Sequence, residues 1–517
     1  MPPVSSRRTW PRGVPAVVQA LAVVVFVGVP SLRVWWTPPP GRWFPGSFFY
    51  QDDHFQYLSF VEQARRGEWL FVNKFDPSPQ VPFLVNLGWW SAGRLAAALG
   101  VSEELGWFLW DLVAAALLVL GVRRFLAQAG RGGAALVWGT VLVVVGGGLG
   151  WLRVAGVPWS GEADLTFSFY PWLQMIGGAH GTLGTALLVW GLALWMEWRR
   201  GIAPKWPWIA LASLLGLCRP FDFVTLLAVT AAVSGSERLR GLPRDGLADL
   251  AWLAPVFFYD ALAFGLHPSF ASWSGGQNVV LLPGAVDLAW ALGPALVLAA
   301  VALATGTVDT LARHVLTTWI LVVVALLCSR LGFAAQFATS VGAALLLSVA
   351  VSMPGRALPV MALALCPTSL VLYWRVLHPA PEWFPPRDYA RAAHLLAATC
   401  APGDVVYAPA EPSLLVAALT PCHVAFGHRV LTPQFERRAA ESEVFYSEVT
   451  PARWRYGYLE RLGARYAMIP AGRARWMDAT GFFVRWRLPA FEVWERSPYE
   501  GKGGAASDKG SPPRPSR

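Results

Sequence analysis

Tyr50-Gln51-Asp52-Asp53-His54-Phe55-Gln56-Tyr57-Leu58 sets two adjacent carboxylates and an imidazole at the head of an amphipathic segment. A Gly/Pro-rich run from Pro38 to Gly46 leads into it, just after the first long apolar stretch of the chain. Phe55, Leu58 and Val61 recur at helical spacing with Tyr57 and Ala64 alongside, so the segment predicts a helix with an apolar stripe. Asp52 is a suitable N-cap, and Asp53 falls in the first turn, where the helix dipole favours negative charge. One aspartate suffices for a cap. Successive side chains on a helix diverge by about 100°, so one Asp can cap while the other faces a cleft.

The rest of the composition says where this helix lies. Of 517 residues, 55% are hydrophobic and only 14% charged, with 28 Trp and 28 Phe and a mean hydropathy of +0.43. Apolar runs near twenty residues recur, which predicts an α-helical multi-pass membrane protein. A net charge of +10 does not point to nucleic acid, because the basic residues form no tract. They punctuate the apolar runs, as in short cytoplasmic loops. The five cysteines show no C-x-x-C spacing; Cys400 and Cys422 can pair if their segment lies outside the cytoplasm, or stay ordinary buried thiols.

Arg7, Arg8 and Arg12 precede the apolar run Val14 to Leu32, which reads as an uncleaved first span with a cytoplasmic N-terminus. A long outer loop, residues 33–104, follows. It holds the Asp52-Asp53 helix, the stretch Trp69-Leu70-Phe71-Val72 and a second amphipathic segment, Val85 to Leu99, with many tryptophans suited to the membrane interface. Further spans read as 106–122, 133–150, 179–198, 206–218, 221–234, 248–266, 287–304, 315–329, 333–352 and 358–377, about 11 in all. Arg123, Arg124 and Arg131 share one loop, and Arg199, Arg200 and Lys205 another. Arg238, Arg240 and Arg244 share a third, and Arg313 and Arg356 mark the last two. The intervening loops are poorer in basic residues. This bias predicts an odd number of spans and puts the segment after residue 377 on the face of Asp52 and Asp53.

From Pro379 charges rise and helix and strand patterns alternate, which predicts a small extracytoplasmic α/β domain over 379–496 after a membrane domain over 1–378. Residues 497–517 read as a disordered tail. No internal repeat, zinc signature, P-loop, G-x-G-x-x-G or G-x-S-x-G stands out.

Ionisable residues gather on the expected outer face. Beside Asp52, Asp53 and His54 stand Glu162 and Asp164 in the second outer loop, His180 at the head of a span, and Arg219 and Asp222 between two others. Arg330 ends a span, and His428 lies in Gly427-His428-Arg429-Val430-Leu431-Thr432. Charge at membrane depth is costly, so Asp222 and Arg330 each need a cavity or a partner. Arg219 and Asp222 serve each other equally well as an ion pair, and Arg330 can instead snorkel to the headgroups. His180 and His267 read as packed or interfacial histidines more readily than as ligands. Asp52, Asp53 and His54 offer oxygen and nitrogen to a divalent cation such as Mg or Mn, although three consecutive residues rarely complete a site.

Taken together, the uncleaved first span, the long outer loop opening on Asp-Asp, the many spans and the C-terminal domain resemble the GT-C superfamily of membrane glycosyltransferases, and in particular its bacterial multi-pass members. The matching pieces are Asp52 to Tyr57, Arg219-Pro220-Phe221-Asp222, Trp273-Ser274-Gly275-Gly276-Gln277-Asn278 and Gly427 to Thr432. The resemblance implies a catalytic base in the first outer loop, Asp53 or Asp52, and a sugar donor on a polyprenyl phosphate delivered from the membrane lipid. It implies a glycan or protein acceptor and a bacterial inner-membrane location. His54, Glu162, Asp164, His180, Arg219, Asp222, Arg330 and His428 are then candidates for holding substrate. A non-catalytic binder of lipid-linked glycans, and a transporter with Asp222 and Arg330 along its path, are the readings from other classes. The absence of repeated halves argues against the transporter.

Overall fold

The computed structural model describes residues 15–239, 248–268, 270, 282–306, 308–329, 334–479 and 481–497. Arg330 and the stretch Trp273 to Asn278 lie outside these residues. The chain begins with α1 (Ala16–Trp36), followed by α2 (Gln51–Arg65), α3 (Leu87–Leu99), α4 (Glu103–Gln128) and α5 (Gly133–Val145). Three short helices follow, α6 (Trp151–Val154), α7 (Ala163–Thr166) and α8 (Pro171–Gly177). Then come α9 (Ala179–Arg199), α10 (Trp206–Cys218), α11 (Pro220–Leu239) and α12 (Ala254–Gly265). The membrane part ends with α13 (Ala285–Thr305), α14 (Thr310–Leu327), α15 (Val341–Ser352), α16 (Leu358–Leu365) and α17 (Pro367–Leu377).

Among the described residues six helices are long and apolar enough to cross a membrane, or seven if α16 and α17, bent by 47°, form one span. This is fewer than the eleven full spans expected. The difference lies in short pieces: α5, α10 and α12 have 13, 13 and 12 residues. At 1.5 Å per residue each reaches about 20 Å, short of the roughly 30 Å hydrocarbon layer. Apolar windows cannot reveal such breaks, because Gly146 and the Arg219-Pro220 junction end helices without ending hydrophobicity.

Local chemistry sets the helix ends that matter. Asn86 Oδ1 accepts the Trp89 amide to start α3, and Ser102 does the same for α4, whose first turn carries Glu103 and Glu104. Asp52 is not the cap expected of it. The helix begins two residues earlier: Tyr50, in the left-handed region at φ 53°, stands at the N-cap with no side-chain cap bond. Both aspartates thus fall in the first turn. The apolar stripe is as read, with Phe55, Leu58, Val61 and Ala64 all buried. α3 packs very close beside it, since a Cβ on Gly93 would lie 2.4 Å from the Val61 carbonyl.

After α17 the C-terminal domain runs α18 (Arg387–Ala397), β1 (Val405–Tyr407), α19 (Ala410–Leu419), β2 (His423–Val424), α20 (Phe435–Tyr446), α21 (Ala452–Arg461), β3 (Ala464–Pro470), β4 (Phe482–Arg487) and β5 (Phe491–Arg496). The sheet order is β2-β1-β3-β5-β4. β1 pairs in parallel with β2 and β3, and β5 in antiparallel with β3 and β4. The alternation of elements follows the sequence reading, except that β4 was not anticipated. In Phe482-Phe483-Val484-Arg485-Trp486-Arg487 the first, third and fifth residues face inward and the others are exposed, but Phe483 on the exposed side breaks the apolar/polar alternation of the sequence. Cys400 and Cys422 form a disulfide with Cα atoms 5.9 Å apart.

This domain docks on the segment between α1 and α3. The Trp43 amide donates to Pro385 O at 3.1 Å, the Arg387 amide to Gly41 O at 2.9 Å, and the Val424 amide to Lys74 O at 2.8 Å. Asn73 Nδ2 donates to Leu431 O at 2.7 Å. Lys74 itself is 1% exposed and donates from Nζ to Glu62 Oε2 on α2 (2.8 Å) and to Thr420 O at the end of α19 (2.7 Å). Burial pulls the Lys74 ammonium below the ordinary lysine range, and Glu62 opposes that shift. Breaking a buried pair from one side typically costs 3–5 kcal/mol. Lys74→Ala is therefore expected to loosen the docked domain by about 3 kcal/mol, visible as faster proteolytic release of the C-terminal domain from detergent-purified protein. Equal proteolysis rates would remove the pair from its role.

Candidate functional site

Where α2, the head of α9, the α10–α11 junction and α12 meet, they enclose a cavity of about 600 Å³. Asp53, His54, Gln56 and Tyr57 reach it from α2, His180 and Gly181 from α9, and Arg219 from the junction. Thr166, Phe167 and Ser168 arrive from the end of α7 and the turn before α8, and Val430 from the C-terminal domain. One side of the lining is apolar, with Val224, Phe257, Phe264 and Phe337. Val224 and Phe257 continue into an entirely nonpolar groove of about 430 Å³ between α11 and α12. The cavity is thus polar at one end and oily at the other.

The two aspartates diverge as their helical offset requires. Asp53 lines the cavity with its side chain 51% exposed, whereas Asp52 is exposed and not part of the lining. Asp53 Oδ1 lies 3.6 Å from Nε2 of His428, which is 3% exposed. His54 is turned inward: its Nε2 meets Pro45 O at 2.8 Å, and burial lowers it to about 4. The consecutive Asp52-Asp53-His54 set therefore does not converge on one cation.

Tyr50 holds the helix start to the turn between α7 and α8. Its hydroxyl donates to Thr166 O at 2.6 Å and accepts from Ser168 Oγ at 3.1 Å, and burial raises it to about 12. His180 lies against Tyr57 and Trp89, ring centroids 4.7 and 5.7 Å away, a packed histidine that also borders the cavity. His267 stacks on Phe83 at 5.0 Å.

Arg219 and Asp222 form the ion pair that their spacing allows, Nε to Oδ2 at 3.1 Å, with side chains 4% and 1% exposed. The angles fall short of a hydrogen bond, and neither Asp222 oxygen accepts one among the described residues. Arg219 Nη1 donates to His180 O at 3.4 Å and Nη2 to Thr339 Oγ1 at 3.2 Å. Each Nη carries two N–H groups, so one on each remains for a ligand. Gly181 and Gly184 on α9 make room: a Cβ on Gly184 would lie 2.2 Å from Asp222 Oδ2 and 2.3 Å from Arg219 Cδ.

Glu162 and Asp164 do not join this group. Glu162 is exposed away from the lining. Asp164 is buried, its Oδ2 accepting the Gly150 amide at 3.2 Å, and burial raises it to about 6. That carboxylate braces the glycine-rich turn after α5. Asp260 on α12, beside Phe257 and Phe264, lines the cavity and was missed. Its signal was a lone acid in an otherwise apolar stretch.

A divalent cation needs several convergent donors with free lone pairs. Among the described residues Cys400, Asp404 and Cys422 are the one such cluster of three, and there the two sulfurs are joined in the disulfide. Behind Asp53, His428 Nδ1 already accepts the Val430 and Leu431 amides at 3.3 and 3.2 Å. The ring proton is then on Nε2, the atom facing Asp53. A metal-bound histidine shows the reverse, donating from its second nitrogen to an acceptor. Asp53 and His428 as they stand do not fit a cation.

No family model and no curated protein matches the chain. Solved structures do. An oligosaccharyltransferase from Archaeoglobus fulgidus, in complex with Zn and sulfate, matches with a TM-score of 0.54 and 11% identity over 93% of this chain and 73% of that one. ArnT from Cupriavidus metallidurans, bound to undecaprenyl phosphate, matches with a TM-score of 0.53 and 15% identity over 92% and 97%. The mycobacterial arabinofuranosyltransferase AftD matches at 0.50 and 16% over 95% of this chain and 42% of that one. The chain shares its fold with these three structures.

The packing around Arg219 makes a direct prediction. Overpacking typically costs 1–3 kcal/mol, so Gly184→Ala is expected to lower the fluorescence-detected melting temperature in detergent by several degrees. Gly235→Ala on α11, where nothing lies within 4 Å of the added carbon, is expected to leave it unchanged. Equal melting of Gly184→Ala and the parent would contradict the close fit.

Proposed function

We propose that this membrane protein is a glycosyltransferase that moves a sugar from a polyprenyl-phosphate donor to an extracytoplasmic glycan or protein acceptor. The observation that carries the reading is one cavity in which a half-exposed carboxylate, Asp53, and a buried guanidinium, Arg219, share a polar end beside an apolar exit. That division matches an amphipathic donor: sugar and phosphate at the polar end, isoprenoid chain along the groove between α11 and α12. The GT-C fold, shared with an ArnT bound to undecaprenyl phosphate, supports the same class of donor.

The chemistry follows from the two groups. As an acceptor hydroxyl oxygen bonds to the anomeric carbon, its proton passes to the Asp53 carboxylate. The bond from that carbon to the phosphate oxygen breaks, and the lipid phosphate leaves with the electron pair. Its charge faces Arg219, whose planar fork offers two N–H groups to phosphate oxygens. Asp222 holds the guanidinium from behind. Asp52 and His180 shape the field and the wall and are assigned no proton transfer.

The membrane in question is the bacterial cytoplasmic membrane, with the N-terminus inside and the C-terminal domain outside. The arginine bias of the loops and the Cys400–Cys422 disulfide both support that orientation, since disulfides persist in oxidising compartments.

Two experiments test this. In membranes carrying equal amounts of each variant, Asp53→Asn is expected to lower transfer from a labelled polyprenyl-phosphate sugar by about 10²–10⁴-fold, while Asp52→Asn retains most activity. Full activity of Asp53→Asn would remove the base, and donor binding with no transfer by the parent would make the protein a glycan-lipid binder. A reporter fused after Ser497 is expected to be active only if it functions outside the cytoplasm; a cytoplasm-only signal would invert the topology.

A further inference from the structure

The turn that carries His428 is fastened more tightly than a surface loop needs. The Gly427 amide donates to Thr432 Oγ1 at 3.2 Å, and the Thr432 amide donates to His428 O at 2.8 Å. Asn73 Nδ2, between α2 and α3, donates to Leu431 O at 2.7 Å. Phe75 lies beside the imidazole with ring centroids 5.6 Å apart, and a Cβ on Gly427 would lie 3.2 Å from the same phenyl ring. The backbone is thus closed on itself and clamped to residues 73–75, which leaves the ring one orientation.

Within that turn the two ring nitrogens have opposite duties. Nδ1 faces two amide donors, Val430 and Leu431, and can only accept from them. Nε2 therefore bears the proton and points at Asp53 Oδ1, 3.6 Å away. That separation is slightly long for a hydrogen bond, and catalytic contacts commonly tighten when substrate is bound. An N–H aimed at a carboxylate orients it without occupying it, and one Asp53 oxygen stays open to the cavity. A divalent cation would do the same by charge, but Nε2 in this tautomer has no lone pair to give it.

We propose that His428, supplied by the C-terminal domain, is the positioning residue of Asp53, and that its Nε2–H takes the place of a divalent cation in this site. The inference rests on Asp53 being the base of the proposed transferase. Two features that the chain separates then act as one: the carboxylate comes from the membrane domain, and the group that aims it comes from the docked domain.

Two substitutions divide the duties of the ring. In His428→Asn the amide oxygen reaches the Nδ1 position and keeps the turn, but no donor reaches Asp53. In His428→Gln the amide nitrogen reaches the Nε2 position, while the turn loses its acceptor. With a polyprenyl-phosphate sugar, His428→Asn is expected to lower kcat by about 10²-fold with KM for the donor little changed. His428→Gln is expected to stay within about tenfold of the parent. The reverse ranking, Asn active and Gln dead, would make His428 a turn residue only and overturn the proposal. The parent rate is expected to be the same after exhaustive EDTA treatment as with added Mg²⁺ or Mn²⁺.

A Mn²⁺ titration of the purified protein, followed by electron paramagnetic resonance, needs no turnover. No bound Mn²⁺ that Asp53→Asn releases is the expected result, and Asp53-dependent binding would overturn the replacement of a cation. If Asp53→Asn remains fully active, it is the glycosyltransferase base that fails; if only the His428 ranking or the Mn²⁺ result fails, that base stands.

Discussion

A lysine ammonium with almost no water contact joins the two halves of this protein. Lys74 Nζ donates to Glu62 on α2, in its own half, and to the Thr420 carbonyl after α19, in the other, so its hydrogen bonds are complete only when the halves are docked. A buried ion pair is weak evidence for stability, since desolvating both groups offsets much of their attraction. Its value lies in registration. Only one docking places an acceptor on each side of Nζ, and that docking brings the strand and turn after Thr420 onto residues 73–76. The Val424 amide bonds to Lys74 O, and His428 then arrives opposite Asp53.

The membrane side of the cavity follows the same logic with different means. Arg219 follows the end of α10, just before Pro220 opens α11, and its charge is carried at depth by Asp222 one turn on. Small residues on α9 admit the pair, because any side chain at Gly184 would collide with it. The break between α10 and α11 is therefore also where Arg219 and Pro220 meet the cavity. A continuous span through residues 206–239 would bury the position of Arg219 in a helix wall, whereas the break turns its guanidinium to the cavity. Apolar residues beyond that point, from Val224 to Phe257, extend the wall into the groove.

Much of this was legible from residues alone. The low charge, the repeated apolar runs and the arginine-marked loops read as a multi-pass membrane protein, and the change in composition after Pro379 read as an α/β unit. The stripe Phe55, Leu58, Val61 gave the α2 helix its buried face. Three readings failed for physical reasons. Asp52 looked like a cap because caps are local, but Tyr50 in the left-handed region starts the helix earlier. Asp164 looked like a site residue because it is an acid in an outer loop, but it braces the Gly150 turn. β4, at the sheet edge, was missed because Phe483 puts an apolar residue on its exposed side and hides the alternation that Phe482, Val484 and Trp486 follow.

By itself the sequence determined that an acidic pair would open a helix at a membrane face, because helix periodicity, capping chemistry and hydropathy act over a few neighbouring residues. It left Asp52 and Asp53 equivalent. Tertiary structure alone separated them, since which of two side chains 100° apart on a helix meets a cavity depends on what packs around that helix. It also joined Asp53 to His428 and Arg219, residues with nothing in their local patterns to link them. Their approach is set by the docking of one domain on another and by the room that glycines leave on α9. Those are long-range packing constraints, and no short stretch of chain carries them.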